Sequence, residues 1–159
     1  MDHLDHVLRQ WQAERPDLDT SPMGVIGRLS RASAAVDARL AATFAAHGID
    51  AATFDVLATL VRQGPPYRMS PAELATDAMI TSSAVAQRLN RLERIGLIHR
   101  QARPEDRRGK LVEITSAGRA VVDQVLPDHL ATEESILEPL SAGERHQLAQ
   151  LLAHLTPST

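Results

Sequence analysis

Residues 70–115 read "SPAELATDAMITSSAVAQRLNRLERIGLIHRQARPEDRRGKLVEIT", and this stretch decides the fold. Ser70 and Glu73 have the spacing of a reciprocal capping box, with a proline between them at the first helical position. Thr81 is a suitable cap for a second helix, and Gly96 offers the left-handed backbone conformation that ends one. The sequence therefore predicts two short helices joined by the turn "DAMI".

Two runs typical of β-strands follow these helices. "LIHRQ" at 97–101 and "KLVEIT" at 110–115 flank a loop that contains proline, glycine and several arginines. Alternating apolar residues on either side of such a loop indicate a β-hairpin. Two helices joined by a turn and then a hairpin make a winged helix-turn-helix. We therefore expect a mainly α fold of the α+β class, with this winged lobe and a separate helical region.

Apolar residues at helical spacing predict the remaining elements. Pro127 and Pro139 interrupt the helical pattern of the C-terminal part, and Pro127 is compatible either with a kink in one helix or with a true break. The predicted helices outside the winged lobe are 3–14, 23–47, 51–63 and a helical segment from 116 onward whose last helix is 141–155.

The composition is that of a soluble globular domain. The chain has 159 residues, of which 43% are hydrophobic and 23% are charged, and it contains no apolar run long enough to span a membrane. Its first residues lack the basic and apolar blocks of a secretory signal, so a cytoplasmic location is expected. The absence of cysteine from the sequence excludes disulfides, thiolate metal sites and thiol catalysis.

Charge is unevenly distributed along the chain. The formal net charge is −3, yet residues 85–110 contain eight Lys or Arg and three acids, a local net charge of +5. The remainder of the chain therefore carries −8. An acidic protein with one basic segment has the electrostatic pattern of a nucleic-acid-binding surface, although solvated faces also segregate charge by chance.

The second helix of the winged lobe has two distinct faces. At 100° per residue, Val85, Leu89 and Leu92 fall on one side and are expected in the core. Arg88 flanks that apolar side, where an arginine either extends its charge to solvent or is held toward the body of the protein. The opposite side carries polar and basic side chains suited to base edges and phosphates in a major groove. The predicted DNA-contacting residues of this helix are Ser82, Ser83, Gln87, Asn90, Arg91 and Arg94.

The loop of the hairpin is predicted to reach an adjacent minor groove. Arg107 and Arg108 would contribute affinity and register through phosphate or minor-groove contacts. Asp106 would brace the loop by pairing with Arg108 or by capping the turn. The alternative is an exposed ion pair of little energetic value.

The run "MITSSAVAQRLNRLERIGLIHRQARPEDRRGKLVEITSAG" at 79–118 resembles the core of the MarR family of transcription factors. The resemblance implies one subunit over 1–159, with a winged helix-turn-helix lobe at 51–115. It further implies that 1–50, including an extra N-terminal helix at 1–15, and 116–159 form a helical dimerisation region. It implies a homodimer that binds double-stranded DNA at a palindromic operator and represses transcription until a small molecule releases it.

The N-terminal helix with its tryptophan resembles the urate-responsive, PecS-like branch of that family. By position, Trp11 and Arg88 would contact the ligand, Asp55 would move when ligand binds, and Arg100 would transmit the shift to the DNA-binding helix. Arg62 lies seven residues after Asp55 on the same helix face and would join the same polar cluster. Urate or another aromatic anion suits stacking on an aromatic ring and hydrogen bonds from arginine. The alternatives are a tryptophan that packs in the core and arginines that form ion pairs.

Two other functional classes are considered. The seven histidines form no HExxH or other dense ligand set, and no phosphate loop or nucleophile elbow is present, so no enzymatic activity, metal or cofactor is expected. A winged helix that binds another protein without touching DNA is the stronger alternative. The basic segment disfavours it, because such a module does not need concentrated positive charge.

Overall fold

A computed structural model of the chain describes residues 2–78, 82–102 and 110–155. The helices and strands of this part confirm the predicted mainly α fold with a small sheet. In chain order they are α1 (His3–Glu14), α2 (Ser21–Ala46), α3 (Ala51–Arg62), β1 (Arg68–Met69), α4 (Pro71–Asp77), α5 (Ser82–Arg94), β2 (Ile98–Ala102), β3 (Lys110–Ile114), α6 (Ser116–Leu137) and α7 (Ala142–Leu155).

The chain divides into two compact units, Met1–Arg39 and Leu40–Thr159. In the first unit, α1 packs on the beginning of α2, where Gly27 leaves room for the side chain of Leu4. Arg28 joins the two helices through ion pairs with Asp2 at 3.0 Å and Asp5 at 2.6 Å. This boundary separates parts of the chain that pack within themselves and does not identify their functions. The division into dimerisation and DNA-binding regions therefore stays a prediction.

The second unit contains the winged helix-turn-helix. The three antiparallel strands lie in the order β1-β3-β2. Val112 of the central strand β3 is flanked by Met69 of β1 and by Arg100 of β2. Because apolar residues of α3, α4, α5, α6 and the sheet converge, the unit has one core. Its fully buried members are Val56, Leu57, Leu60, Leu74, Val85, Leu89, Leu92, Ile98, Val112, Val122 and Val125.

Two predicted helix ends of the winged lobe, the beginning of α4 and the end of α5, are confirmed. The Ser70 hydroxyl accepts the Glu73 N–H at 3.2 Å while the Glu73 carboxylate accepts the Ser70 N–H at 2.7 Å, which completes the capping box of α4. Gly96 has φ +75° after the end of α5, and the Leu97 N–H donates to the carbonyl of Leu92 at 2.9 Å, as in a Schellman motif. Thr81 lies outside the described residues.

The C-terminal helices resolve the alternatives at Pro127. α6 continues from Ser116 to Leu137 through this proline, so Pro127 lies inside one helix, whereas Pro139 falls between α6 and α7. Among the described residues, no single helix is long and apolar enough to span a membrane, and only the bent pair α2 and α3, taken together, meets the length and composition criteria.

The beginning of α6 is fixed to the winged lobe. The Thr115 hydroxyl accepts the Gly118 N–H at 3.1 Å and donates to the carbonyl of Gly96 at 2.8 Å. Gly118 itself lies against the Leu97 carbonyl, and a methyl group at this position would meet that oxygen and the side chain of Ile114. Glycine is therefore required for α6 to approach the sheet.

We predict that Gly118→Ala lowers the free energy of unfolding by about 1–3 kcal/mol, because the added methyl group overpacks the junction. Urea unfolding at a fixed protein concentration measures the change. Gly143→Ala in α7 is the matched control, since nothing lies within 4 Å of its added carbon. The control should leave stability unchanged or raise it, and equal losses in both variants would contradict the prediction.

Candidate nucleic-acid interface

Helix α5 has the two faces that its sequence predicts. Val85, Leu89 and Leu92 are buried against the rest of the winged lobe, and each contributes about 1.5–3 kcal/mol through removal of its side chain from water. Their burial fixes the rotation of the helix. It directs the predicted DNA-contacting side chains of the opposite face into solvent, namely Ser83, Gln87, Asn90, Arg91 and Arg94.

Asn90 is additionally held by a neighbouring strand. The Arg100 guanidinium donates to the Asn90 Oδ1 at 2.7 Å and pairs with the Glu93 carboxylate at 3.4 Å. Because arginine only donates hydrogen bonds, the carbonyl end of the Asn90 amide faces Arg100, and its NH₂ end is left as the donor to a further partner. Arg100 thus links β2 to α5, and its role in transmitting a ligand signal stays a prediction.

Arg88 is held toward the body of the protein and does not extend its charge fully into solvent, which is the second of the two placements expected for it. Its Nη1 lies 2.9 Å from the Oδ2 of Asp50, the residue that caps α3, and its side chain is 21% exposed. Arg91 lies farther out, with its Nη1 3.9 Å from the same oxygen and its side chain 59% exposed. One carboxylate at the beginning of α3 therefore faces two arginines of α5.

The electrostatic environment of Asp50 favours its charged form. Partial burial alone would raise the pKa of Asp50, but the Thr53 N–H bond at 2.8 Å and the charges of Arg88 and Arg91 outweigh it and hold the pKa below its ordinary value. Sequence patterns do not indicate Asp50 as a site residue. Its position just before α3 marks it as a helix cap, but nothing local in the sequence points to its partners in α5.

The other predicted ligand-responsive residues of the second unit lie on α3. Asp55 is partly buried, and its backbone carbonyl accepts the Thr59 hydroxyl at 2.7 Å. Arg62 donates to the backbone carbonyl of Asp77, so it connects the end of α3 with the end of α4. A shared polar cluster of Asp55 and Arg62 stays a prediction.

Trp11 belongs to the first unit and is not buried there. Its side chain is 42% exposed, so the alternative of a tryptophan packed in the core does not describe this unit. Its role in ligand binding stays a prediction.

Four predicted DNA-interface residues are not covered by the described part of the chain. They are Asp106, Arg107, Arg108 and, for its side chain, Ser82. Within the described ranges, no cluster of three or more His, Asp or Glu side chains is placed to hold a metal ion.

A winged helix-turn-helix whose second helix presents polar and basic side chains defines a class of DNA-binding transcriptional regulators. Comparison with known proteins agrees with this class. The model of the MarR family matches residues 49–110. The HTH-type transcriptional regulator PecS of Dickeya dadantii (strain 3937) is 40% identical over 152 residues, which cover 96% of this chain and 92% of that protein. The chain belongs to the MarR family, and its identity with PecS confirms the predicted resemblance to the PecS-like branch.

Solved structures show the same fold. The chain resembles BpsR of Bordetella bronchiseptica, whose DNA binding is regulated by 6-hydroxynicotinic acid, with a TM-score of 0.77 and 28% identity over 85% of this chain and 94% of that one. It also resembles a MarR mutant from E. coli complexed with operator DNA, with a TM-score of 0.75 and 26% identity over 86% of this chain and 94% of that one. The chain is therefore a transcriptional regulator and not an enzyme.

Proposed function

We propose that the protein is a homodimeric repressor that binds a palindromic operator and is released from it by a small aromatic anion such as urate. The observation that carries this proposal is the arrangement of α5, with Arg91 and Arg94 on its exposed face and Arg88 drawn back toward Asp50. The first two are suited to DNA, whereas Arg88 already binds one carboxylate, that of Asp50, and an anionic ligand would compete for it.

DNA binding is supported by the concentration of positive charge on the recognition segment. Phosphate contacts from Arg91, Arg94 and the loop residues Arg107 and Arg108 would supply affinity. Gln87 offers an amide that suits an adenine edge, and Asn90 offers its NH₂ group as a donor to a base.

A dimer is supported by exposed leucines along the C-terminal helices. On α7 they recur at helical spacing and form one apolar stripe, and α6 adds two more. An exposed stripe of this kind is typical of an interface between subunits. The leucines are Leu126, Leu130, Leu148, Leu151, Leu152 and Leu155. A two-fold symmetric dimer would present two recognition helices, which is the reason to expect a palindromic operator.

An aromatic anion as effector is supported by chemistry and by one relative. The DNA binding of BpsR is regulated by 6-hydroxynicotinic acid, a flat ring with a carboxyl group. In this chain Arg88 would pair with such an anion, Asp55 and Arg62 on α3 would respond to it, and Arg100 would pass the change to α5 through Asn90. Trp11 is included on the sequence resemblance alone. Release follows if the anion binds one conformation of the protein more tightly than the other.

The first prediction from this proposal concerns DNA. We expect labelled duplex DNA from upstream of the protein's own gene to bind with an affinity that falls as salt rises, measured by fluorescence anisotropy. Arg108→Ala should weaken binding to unrelated sequences as well and reduce the slope of log K against log[salt] by about 0.9, because one phosphate contact is lost. The exposed Arg31→Ala on α2 is the charge-matched control. An unchanged slope in Arg108→Ala would contradict a role for the loop in the groove.

If the protein shows no salt-sensitive binding to this DNA, its binding to a random duplex library would be measured next. Failure with the library as well would favour the protein-interaction module and overturn the proposed function.

The second prediction concerns the effector. Urate, with 6-hydroxynicotinate tested in parallel, should raise the dissociation constant of the wild-type protein for its DNA. Neither compound should change the dissociation constant of Arg88→Gln, because the cation that receives the anion is gone. DNA binding of the wild type that is indifferent to both compounds would remove the effector assignment and leave the DNA-binding function intact.

The third prediction concerns assembly. Leu151→Lys should convert the dimer to monomers in sedimentation-velocity experiments, because it places a charge in the apolar stripe of α7. Gln150→Lys adds the same charge to the same helix away from the stripe and should leave the dimer intact. A Leu151→Lys protein that sediments as a dimer would exclude α7 as the interface.

A further inference from the structure

Asp50 connects the beginning of α3 to the recognition helix through a single carboxylate. Its Oδ1 accepts the Thr53 N–H at 2.8 Å, and its Oδ2 lies 2.9 Å from the Arg88 guanidinium. The first bond is the N-terminal cap of α3, so it anchors the carboxylate to a helix of the core. Asp50 is therefore a fixed point toward which an arginine of α5 is drawn.

Arg91 is the second cation within reach of this fixed point. Arg88 and Arg91 are one helical turn apart and lie on neighbouring parts of the surface of α5. At 3.9 Å from the Asp50 Oδ2, Arg91 is attracted to the carboxylate without a hydrogen bond of normal length. A displacement of about 1 Å would bring it to the 2.9 Å that Arg88 now has.

We propose that Asp50 is a positioning residue that is shared between these two arginines. While Arg88 is the partner of Asp50, Arg91 extends from the exposed face and is available to a DNA phosphate. When Arg88 is withdrawn, the anchored carboxylate takes Arg91 and removes it from the DNA-binding face. An anion that pairs with Arg88 would withdraw it from Asp50. The inference therefore deepens the proposed function and rests on it, because its effect is a change in DNA binding.

Arg88→Gln reproduces the withdrawal without any ligand. We expect this variant to bind DNA about three- to tenfold more weakly than the wild type, with a slope of log K against log[salt] that is smaller by up to about 0.9, since Arg91 no longer reaches a phosphate. Asp50→Asn added to the same chain should restore wild-type affinity, because the competing charge is gone. Asparagine keeps the cap of α3, so the second change tests the charge alone.

Two controls separate the sharing of Asp50 from a general effect of charge. Asp123→Asn on α6 changes the net charge as Asp50→Asn does and should not restore binding to Arg88→Gln. In an Arg91→Gln protein, Arg88→Gln should cause no further loss, because the arginine that Asp50 would capture is already absent. Thermal unfolding midpoints of all variants, measured without DNA, establish that each protein is folded.

The inference is overturned if folded Arg88→Gln binds DNA as tightly as the wild type or if Asp50→Asn does not restore its binding. It is also overturned if Asp123→Asn restores binding equally. A wild-type protein without salt-dependent DNA binding would refute the proposed function and this inference together. A wild type that binds DNA but ignores urate would refute the effector assignment alone, and the variants would still decide the role of Asp50.

Discussion

The packing of α5 against α3 is the constraint on which the candidate interface depends. Val85, Leu89 and Leu92 are buried, and a helix whose apolar side is fixed in this way has only one rotation available. That rotation turns the polar side chains outward and leaves Arg88 at the edge of the contact between α3 and α5. The same contact brings the first residues of α3 close to the middle of α5, where Asp50 lies near its two arginines. The burial of these three side chains thus determines which face of α5 is exposed and which arginines lie near Asp50.

The features that the sequence predicts well are those encoded by neighbouring residues. The capping box at Ser70 and the left-handed Gly96 each depend on residues a few positions apart, and both are present in the structure. The two faces of α5 depend only on the helical repeat, and their burial agrees with it. The helix predicted at 3–14 from regularly spaced apolar residues is α1.

The features that the sequence leaves open depend on contacts between distant segments. Pro127 is compatible with a continuous or a broken helix, and α6 is continuous through it. The short strand β1 carries no alternating pattern and exists through its pairing with β3. The pairing of Asp50 with Arg88 joins residues far apart in the chain, and the bond between Arg100 and Asn90 joins a strand to the helix before it. Propensity and periodicity do not describe such pairs. Family resemblance points to Arg88 and Arg100, but their contacts with Asp50 and Asn90 are visible only in the folded chain.

The division of charge between +5 in residues 85–110 and −8 in the rest of the chain also affects how an encounter with DNA begins. Near a polyanion, within a Debye length of about 8 Å at physiological salt, the two parts experience forces of opposite sign. A tumbling molecule is therefore subject to a torque as well as an attraction, and it turns its basic segment toward the duplex before contact. Fewer collisions are lost to wrong orientations, so the rate of association should fall as ionic strength rises, the opposite of the trend that the net charge of −3 alone suggests.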